Sequence, residues 1–228
     1  RASRRCDAGS MVDPLADYET GPDATLRATA EAWSKVDDAR AVVLVEGVSD
    51  HIAVDATAQV VGVDLAAVGV VVVPIGGAHA IGRALAELRR RNERATVGGL
   101  CDAGEERYFR RALTAAGYGD VEDRDGLERR GFFVCVDDLE DELIRAAGRH
   151  VLAQVFTEQG DGPSFAAMQA QPQWRDAAFE AQARRFFGAG ARRKHRYAAA
   201  IVAALGPERV PAPLVGVVRH VRGGAGTG

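Results

Sequence analysis

Ala41-Val-Val-Leu-Val-Glu46-Gly-Val-Ser-Asp50 is the stretch that decides how this chain folds. Five apolar residues, enough for one buried strand, run directly into a carboxylate and a glycine. Asp50 follows at the start of a helix-like run. Open α/β sheets place their ligands at the carboxyl ends of parallel strands. An acid in that place gains nothing for packing, so Glu46 points to metal or phosphate chemistry.

Reading outward, the strand–helix alternation repeats. Ser49 is the expected N-cap of a helix running to about Val61. Val70–Val73 predicts a second strand closed by Pro74, then a Gly76-Gly77 turn and a helix to about Arg91. Thr96–Cys101 predicts a third strand ending at Asp102, with Glu105–Ala116 as the next helix. Phe132–Val136 predicts a fourth strand ending at Asp137-Asp138, followed by a helix over Leu139–Ala147. These strands are continuously apolar rather than alternating, as in a parallel sheet covered on both faces. Ala24–Val36 has helical spacing and precedes the first strand. The expected class is α/β: a mostly parallel, Rossmann-like four-stranded sheet flanked by helices.

The pattern changes after about Arg149. Val151–Glu158, Phe165–Gln169, Arg175–Phe187 and Tyr197–Leu205 read as helices, and Leu214–Val218 is the one remaining strand-like run. The expected organisation is a patternless, mobile segment over 1–22, the sheet domain with its preceding helix over 23–149, a C-terminal helical appendage over 150–222, and a flexible glycine-rich tail over 223–228. Met11 is a candidate natural start.

The composition sets limits. Net charge is −3, so any attraction to nucleic acid comes from a local basic patch or from bound cations. Cys6, Cys101 and Cys135 match neither a zinc pattern nor a disulfide framework, and the latter two lie in strands. Packed, reduced thiols fit a cytoplasmic protein. No apolar run approaches a membrane span, so no membrane partner is expected.

Three of the four strands end in acid: Glu46 with Asp50 beyond it, Asp102 with Glu105 and Glu106, and Asp137-Asp138 with Glu140. A parallel sheet aligns these ends along one edge. Crowded carboxylates repel unless cations neutralise them, and Mg²⁺ or Mn²⁺ prefers such oxygen ligands. Helix capping is the alternative for Asp50, Glu105 and Glu140. It suits Glu46 poorly, because Gly47 and Ser49 separate it from the helix.

Leu44-Val-Glu46-Gly-Val-Ser-Asp50 resembles the first motif of TOPRIM domains, the catalytic fold of primases, type IA and type II topoisomerases and related nucleases. Val73-Pro-Ile-Gly-Gly77 resembles the second-strand segment of the OLD (overcoming lysogenization defect) nucleases. Gly99-Leu-Cys-Asp102 stands where that family has its Asp-x-Asp motif, and Asp138-Leu-Glu140 resembles its later Leu-Glu. The resemblance covers about Ala41 to Arg149, with a further match at Lys194. It implies phosphodiester hydrolysis with one or two Mg²⁺ or Mn²⁺ ions. Glu46 would be general acid/base or metal ligand, and Asp50 and Asp102 metal ligands. Glu105 or Glu106, with Glu140, would complete the second site. One departure stands out: the chain reads Asp102-Ala-Gly-Glu105-Glu106, without the second Asp.

Arg184, Arg185, Arg192, Arg193, Lys194 and Arg196 form the densest basic run and are the candidate nucleic-acid contacts. Lys194 resembles a family lysine, and there a cation stabilises charge developing on phosphate or grips the backbone. A solvated helix start is the plainer reading. Gly76-Gly77 offers amides to a phosphate or simply makes a tight turn. Nothing matches a Walker A motif. OLD nucleases usually carry an ATPase domain, so this chain is expected to work alone or with a separate ATPase subunit.

The leading expectation is a stand-alone metal-dependent nuclease acting on DNA, with RNA and a homodimer left open. Its rivals are a catalytically weak module that binds metal and nucleic acid, and a small-molecule phosphohydrolase.

Overall fold

The computed structural model describes residues 24–224. The segment 1–22, with Cys6 and Met11, lies outside the described residues, as does the tail beyond 224. In chain order the elements are α1 Ala24–Ser34, β1 Ala41–Val45, α2 Val48–Val60, β2 Val70–Pro74, α3 Ile81–Arg91, β3 Thr96–Asp102 and α4 Glu106–Ala115. There follow α5 Arg124–Glu128, β4 Phe132–Cys135, α6 Leu139–Glu158, α7 Gly162–Gln169, α8 Phe179–Phe187, α9 Ala191–Leu205 and α10 Ala212–Gly224.

The sheet order is β2-β1-β3-β4, and every pair is parallel. Ala41 pairs with Val70 on one side and with Thr96 on the other, which makes β1 a central strand. All five of its residues are buried, so both sheet faces are covered, as the unbroken apolar run requires. Burying each such valine or leucine side chain stabilises the fold by roughly 1.5–3 kcal/mol. The strand order reverses between β1 and β3. That switch point opens a crevice at the carboxyl ends of these two strands, which are the ends that carry Glu46 and Asp102.

Each face has its own core. Val42, Leu44, Val73, Val97, Cys101, Phe132 and Val134 pack with residues of α1, α3, α4 and α5. Val43, Val45, Val70, Val72, Leu100 and Cys135 pack with α2, α6, α8, α9 and α10. The C-terminal helices thus share a core with the sheet. A knot of rings, Phe156, Phe165, Phe179, Phe186, Phe187 and Tyr197, ties α6 to α9 together. On the edge strand β2, the Thr29 hydroxyl of α1 donates to the Pro74 carbonyl at 2.8 Å.

Local structure departs from the sequence reading at five places. Leu214–Val218 is helical, within α10, not a strand. Leu214, Val217, Val218 and Val221 are buried at helical spacing; a short apolar run cannot reveal that period. Gly216 makes the contact with the sheet close, since a Cβ there would lie 2.4 Å from the Phe133 ring. The helix expected over Arg175–Phe187 starts only at Phe179. The short α5 is capped by Asp123, whose Oδ1 accepts from Gly126 N at 2.7 Å. The N-cap of α2 is Gly47 rather than Ser49, because Asp50 reaches back to accept from Gly47 N at 2.8 Å. α6 is two helical arms joined at Gly148, whose φ of 61° is a left-handed conformation that favours glycine.

Candidate metal centre

Glu46 leaves β1 at the switch point with its backbone held from the neighbouring strand. Gly76 N and Gly77 N both donate to the Glu46 carbonyl, at 3.0 and 2.9 Å. The turn that achieves this needs φ of 80° and 104° at the two glycines, which explains the Gly-Gly pair. These amides are therefore committed to Glu46 rather than free for a phosphate. Asp102 N donates to Glu46 Oε1 at 3.2 Å, so the end of β3 orients the side chain. A 3₁₀ turn over Ala103–Glu105 then brings Glu105 round to the same point. Ala103 N donates to the Asp137 carbonyl at 3.2 Å, joining the ends of β3 and β4.

Glu46, Asp102 and Glu105 each offer an oxygen atom, and these atoms all lie within 4.8 Å of one another. Among the described residues no lysine or arginine forms an ion pair with any of the three. Burial, and then a hydrogen bond shared with Glu105, holds the Glu46 carboxyl well above the usual carboxylate range. Burial followed by repulsion from Asp50, Asp138, Glu105 and Glu140 pushes Asp102 to about 7. Glu105 Oε2 is buried with no hydrogen-bond partner. Half-buried carboxylates short of positive charge, one with an orphaned oxygen, fit a hard divalent cation.

A second acidic group flanks the first. Burial raises Asp50 to about 6, opposed by the Gly47 amide; Glu140 raises it further and the Lys194 ammonium lowers it. Lys194 Nζ lies 2.8 Å from Glu140 Oε1. Arg184 of α8 pairs with Asp138 and lies 3.5 Å from Asp137. Directly after β4, Asp137, Asp138, Glu140 and Asp141 each face a cationic side chain, and Glu142 meets both the Val136 amide at 2.7 Å and Arg145 at 3.0 Å.

Comparison with known proteins gives a consistent answer. Residues 39–93 match the family model for the overcoming lysogenization defect protein-like TOPRIM domain. The chain carries an OLD-like TOPRIM domain. The C-terminal region of the Xanthomonas campestris pv. campestris OLD protein superposes with a TM-score of 0.65 at 22% identity, covering 84% of this chain and 96% of that one. The C-terminal region of the Burkholderia pseudomallei OLD protein gives a TM-score of 0.59 at 19% identity, covering 82% and 98%. At these identities the likeness shows a shared fold. No curated protein sequence matched the chain.

Within the TOPRIM domain the predicted site residues separate. Glu46, Asp102 and Glu105 come together; Asp50, Glu140 and Lys194 form the adjoining group. Glu106 turns away, its oxygens met by Arg110 at 3.3 Å and Arg124 at 3.1 Å. The basic run divides as well. Arg193 stacks on Phe186 and lies 3.7 Å from Asp161, which also pairs with Arg196 and accepts from the Tyr197 hydroxyl at 2.5 Å. Arg185 and Arg192 are exposed. The sequence reading missed Asp161 and a depression of about 370 Å³ lined by Arg107, Arg110, Arg111 and Thr114 on α4. Helical spacing of those arginines was the signal available for the latter. Cys101 and Cys135 are free, buried and on opposite faces of the sheet, and burial pushes both thiols upward. No helix among the described residues is long and apolar enough to cross a membrane.

Proposed function

We propose that this protein is a metal-dependent nuclease that hydrolyses phosphodiesters of DNA. The observation that carries the reading is the uncompensated trio Glu46, Asp102 and Glu105 at the switch point of a TOPRIM fold. These residues would hold Mg²⁺ or Mn²⁺, both of which favour carboxylate oxygens. A bound divalent cation supplies Lewis acidity and neutralises charge on the phosphoryl oxygens. Glu46, at the carboxyl end of β1 beside Asp102 and Glu105, would serve as metal ligand or as proton acceptor for the attacking water once its own proton is displaced. Asp102 N orients that carboxylate through its hydrogen bond to Oε1. The Lys194 ammonium, 2.8 Å from Glu140 Oε1, is suited to the negative charge that builds on the phosphate during reaction. Exposed Arg185 and Arg192 grip the nucleic-acid backbone.

The test is nicking of supercoiled plasmid with Mn²⁺ by wild type, Glu46→Ala and Asp102→Ala. Loss of cleavage in both variants is expected, and equal cleavage by all three would overturn the reading. One observation favours a second reading, a module that binds metal and nucleic acid within a complex containing a separate ATPase subunit. The Asp102-Ala-Gly-Glu105 departure leaves one carboxylate fewer on the β3 end than the family motif has. Tight Mn²⁺ binding in calorimetry without cleavage of DNA or RNA distinguishes that case.

A further inference from the structure

The two acidic groups differ in what already neutralises them. Among the described residues the trio has no cationic side chain paired with it. In the adjoining group Lys194 Nζ contacts Glu140 Oε1 at 2.8 Å, and one Asp50 oxygen accepts from Gly47 N at 2.8 Å. A small divalent cation gathers several oxygens at about 2.1 Å. Here the donors left over are one oxygen each from Asp50 and Glu140, beside an ammonium that repels a dication.

Lys194 reaches this position through anchors on either side of it. Arg193 and Arg196 both face Asp161, which also accepts from the Tyr197 hydroxyl. Tyr197 is itself fully buried among the rings of α6 and α8. The first turns of α9 are thus clamped from both sides, and the lysine between the clamps is aimed at Glu140. Arg184 does the same for Asp138 and Asp137 from α8.

We propose that the chain holds a single divalent cation, at Glu46, Asp102 and Glu105, and that the Lys194 ammonium stands in for a second one between Glu140 and Asp50. The inference rests on the metal-dependent reading above and specifies its stoichiometry. A fixed ammonium supplies one unit of positive charge without a loading step. It also gives the missing second Asp a rationale, because a one-ion centre needs fewer carboxylates at the end of β3.

The experiment is Mn²⁺ counting by titration calorimetry, with free Mn²⁺ followed by electron paramagnetic resonance, on the full chain at neutral pH. One ion per wild-type chain is expected. Lys194→Ala and Lys194→Met should each bind two, the second lost again when Glu140→Gln is added. Circular dichroism melts identify the folded variants; Lys194→Met keeps the aliphatic stem and serves if Lys194→Ala is poorly folded. Two ions in the wild type, or one ion in a folded lysine variant, overturns this inference and leaves the nuclease reading standing. No ion in the wild type overturns both.

Discussion

The acids at the ends of β1 and β3 and the acids beyond β4 belong to one sheet edge and have opposite electrostatic circumstances. Glu46, Asp102 and Glu105 face one another, and burial with repulsion between carboxylates holds protons on Glu46 and Asp102. Asp137, Asp138, Glu140 and Asp161 face Arg184, Lys194, Arg193 and Arg196. The same residue type costs stability in the first place and contributes to it in the second. The first group is therefore the one with an unmet need for a cation, since folds tolerate such strain mainly at functional sites.

The comparison can be broken most severely at Asp102. Asp102→Asn should lower Mn²⁺-dependent cleavage on the order of a hundredfold or more, equivalent to about 2.7 kcal/mol of barrier. The same substitution should raise the melting temperature of the cation-free protein, because a half-buried carboxylate repelled by Asp50, Asp138, Glu105 and Glu140 is gone. A fall in that melting temperature would show that the trio is not strained.

Asp161 gives the opposite sign. Asp161→Asn should destabilise the fold by about 2 kcal/mol, below the range for a fully buried pair because Arg193 and Arg196 are partly exposed. Chemical denaturation reads this directly; an unchanged midpoint would remove the clamp from the account of α9.

The pH dependence sharpens the contrast. Asp102 titrates at about 7 in the cation-free fold and near 4 unfolded, so between these values the native state binds more protons than the unfolded chain. Stability without metal should therefore fall as pH rises from about 4 to about 7, with Glu46 extending the decline upward. Saturating Mn²⁺ should flatten or reverse the slope, since cation and proton compete for the same oxygens. Thermal melts across this range with and without Mn²⁺ check it.

The smallest effect concerns cations that meet no acid among the described residues. Arg185→Ala with Arg192→Ala should weaken DNA binding and reduce the slope of log affinity against log salt by about one to two. Melting temperature should not move. An unchanged salt slope places the backbone contacts elsewhere, with the arginines of α4 as the next surface to test.

Legibility in the sequence followed the range of the interactions. The four strands were readable because a parallel strand must be apolar on both faces, and nothing else in the chain has that pattern except Leu214–Val218. That run deceived because four or five residues do not distinguish a period of 2.0 from 3.6; only Val221, one turn further, completes the helical stripe. Glu46 and Asp102 were readable as acids at strand ends. The choice between Glu105 and Glu106 was not, because the 3₁₀ turn over Ala103–Glu105 rotates one toward the crevice and the other toward Arg110 and Arg124.

By itself, then, the sequence determined a parallel α/β sheet with carboxylates along its carboxyl edge, since both follow from local hydrophobic pattern and residue order. Which carboxylates are left without a cation was decided only in three dimensions. Arg184 is 46 residues from Asp138, and Arg196 is 35 from Asp161. Charge compensation depends on distance in space, and it was the packing of α8 and α9 against α6 and α2 that set those distances.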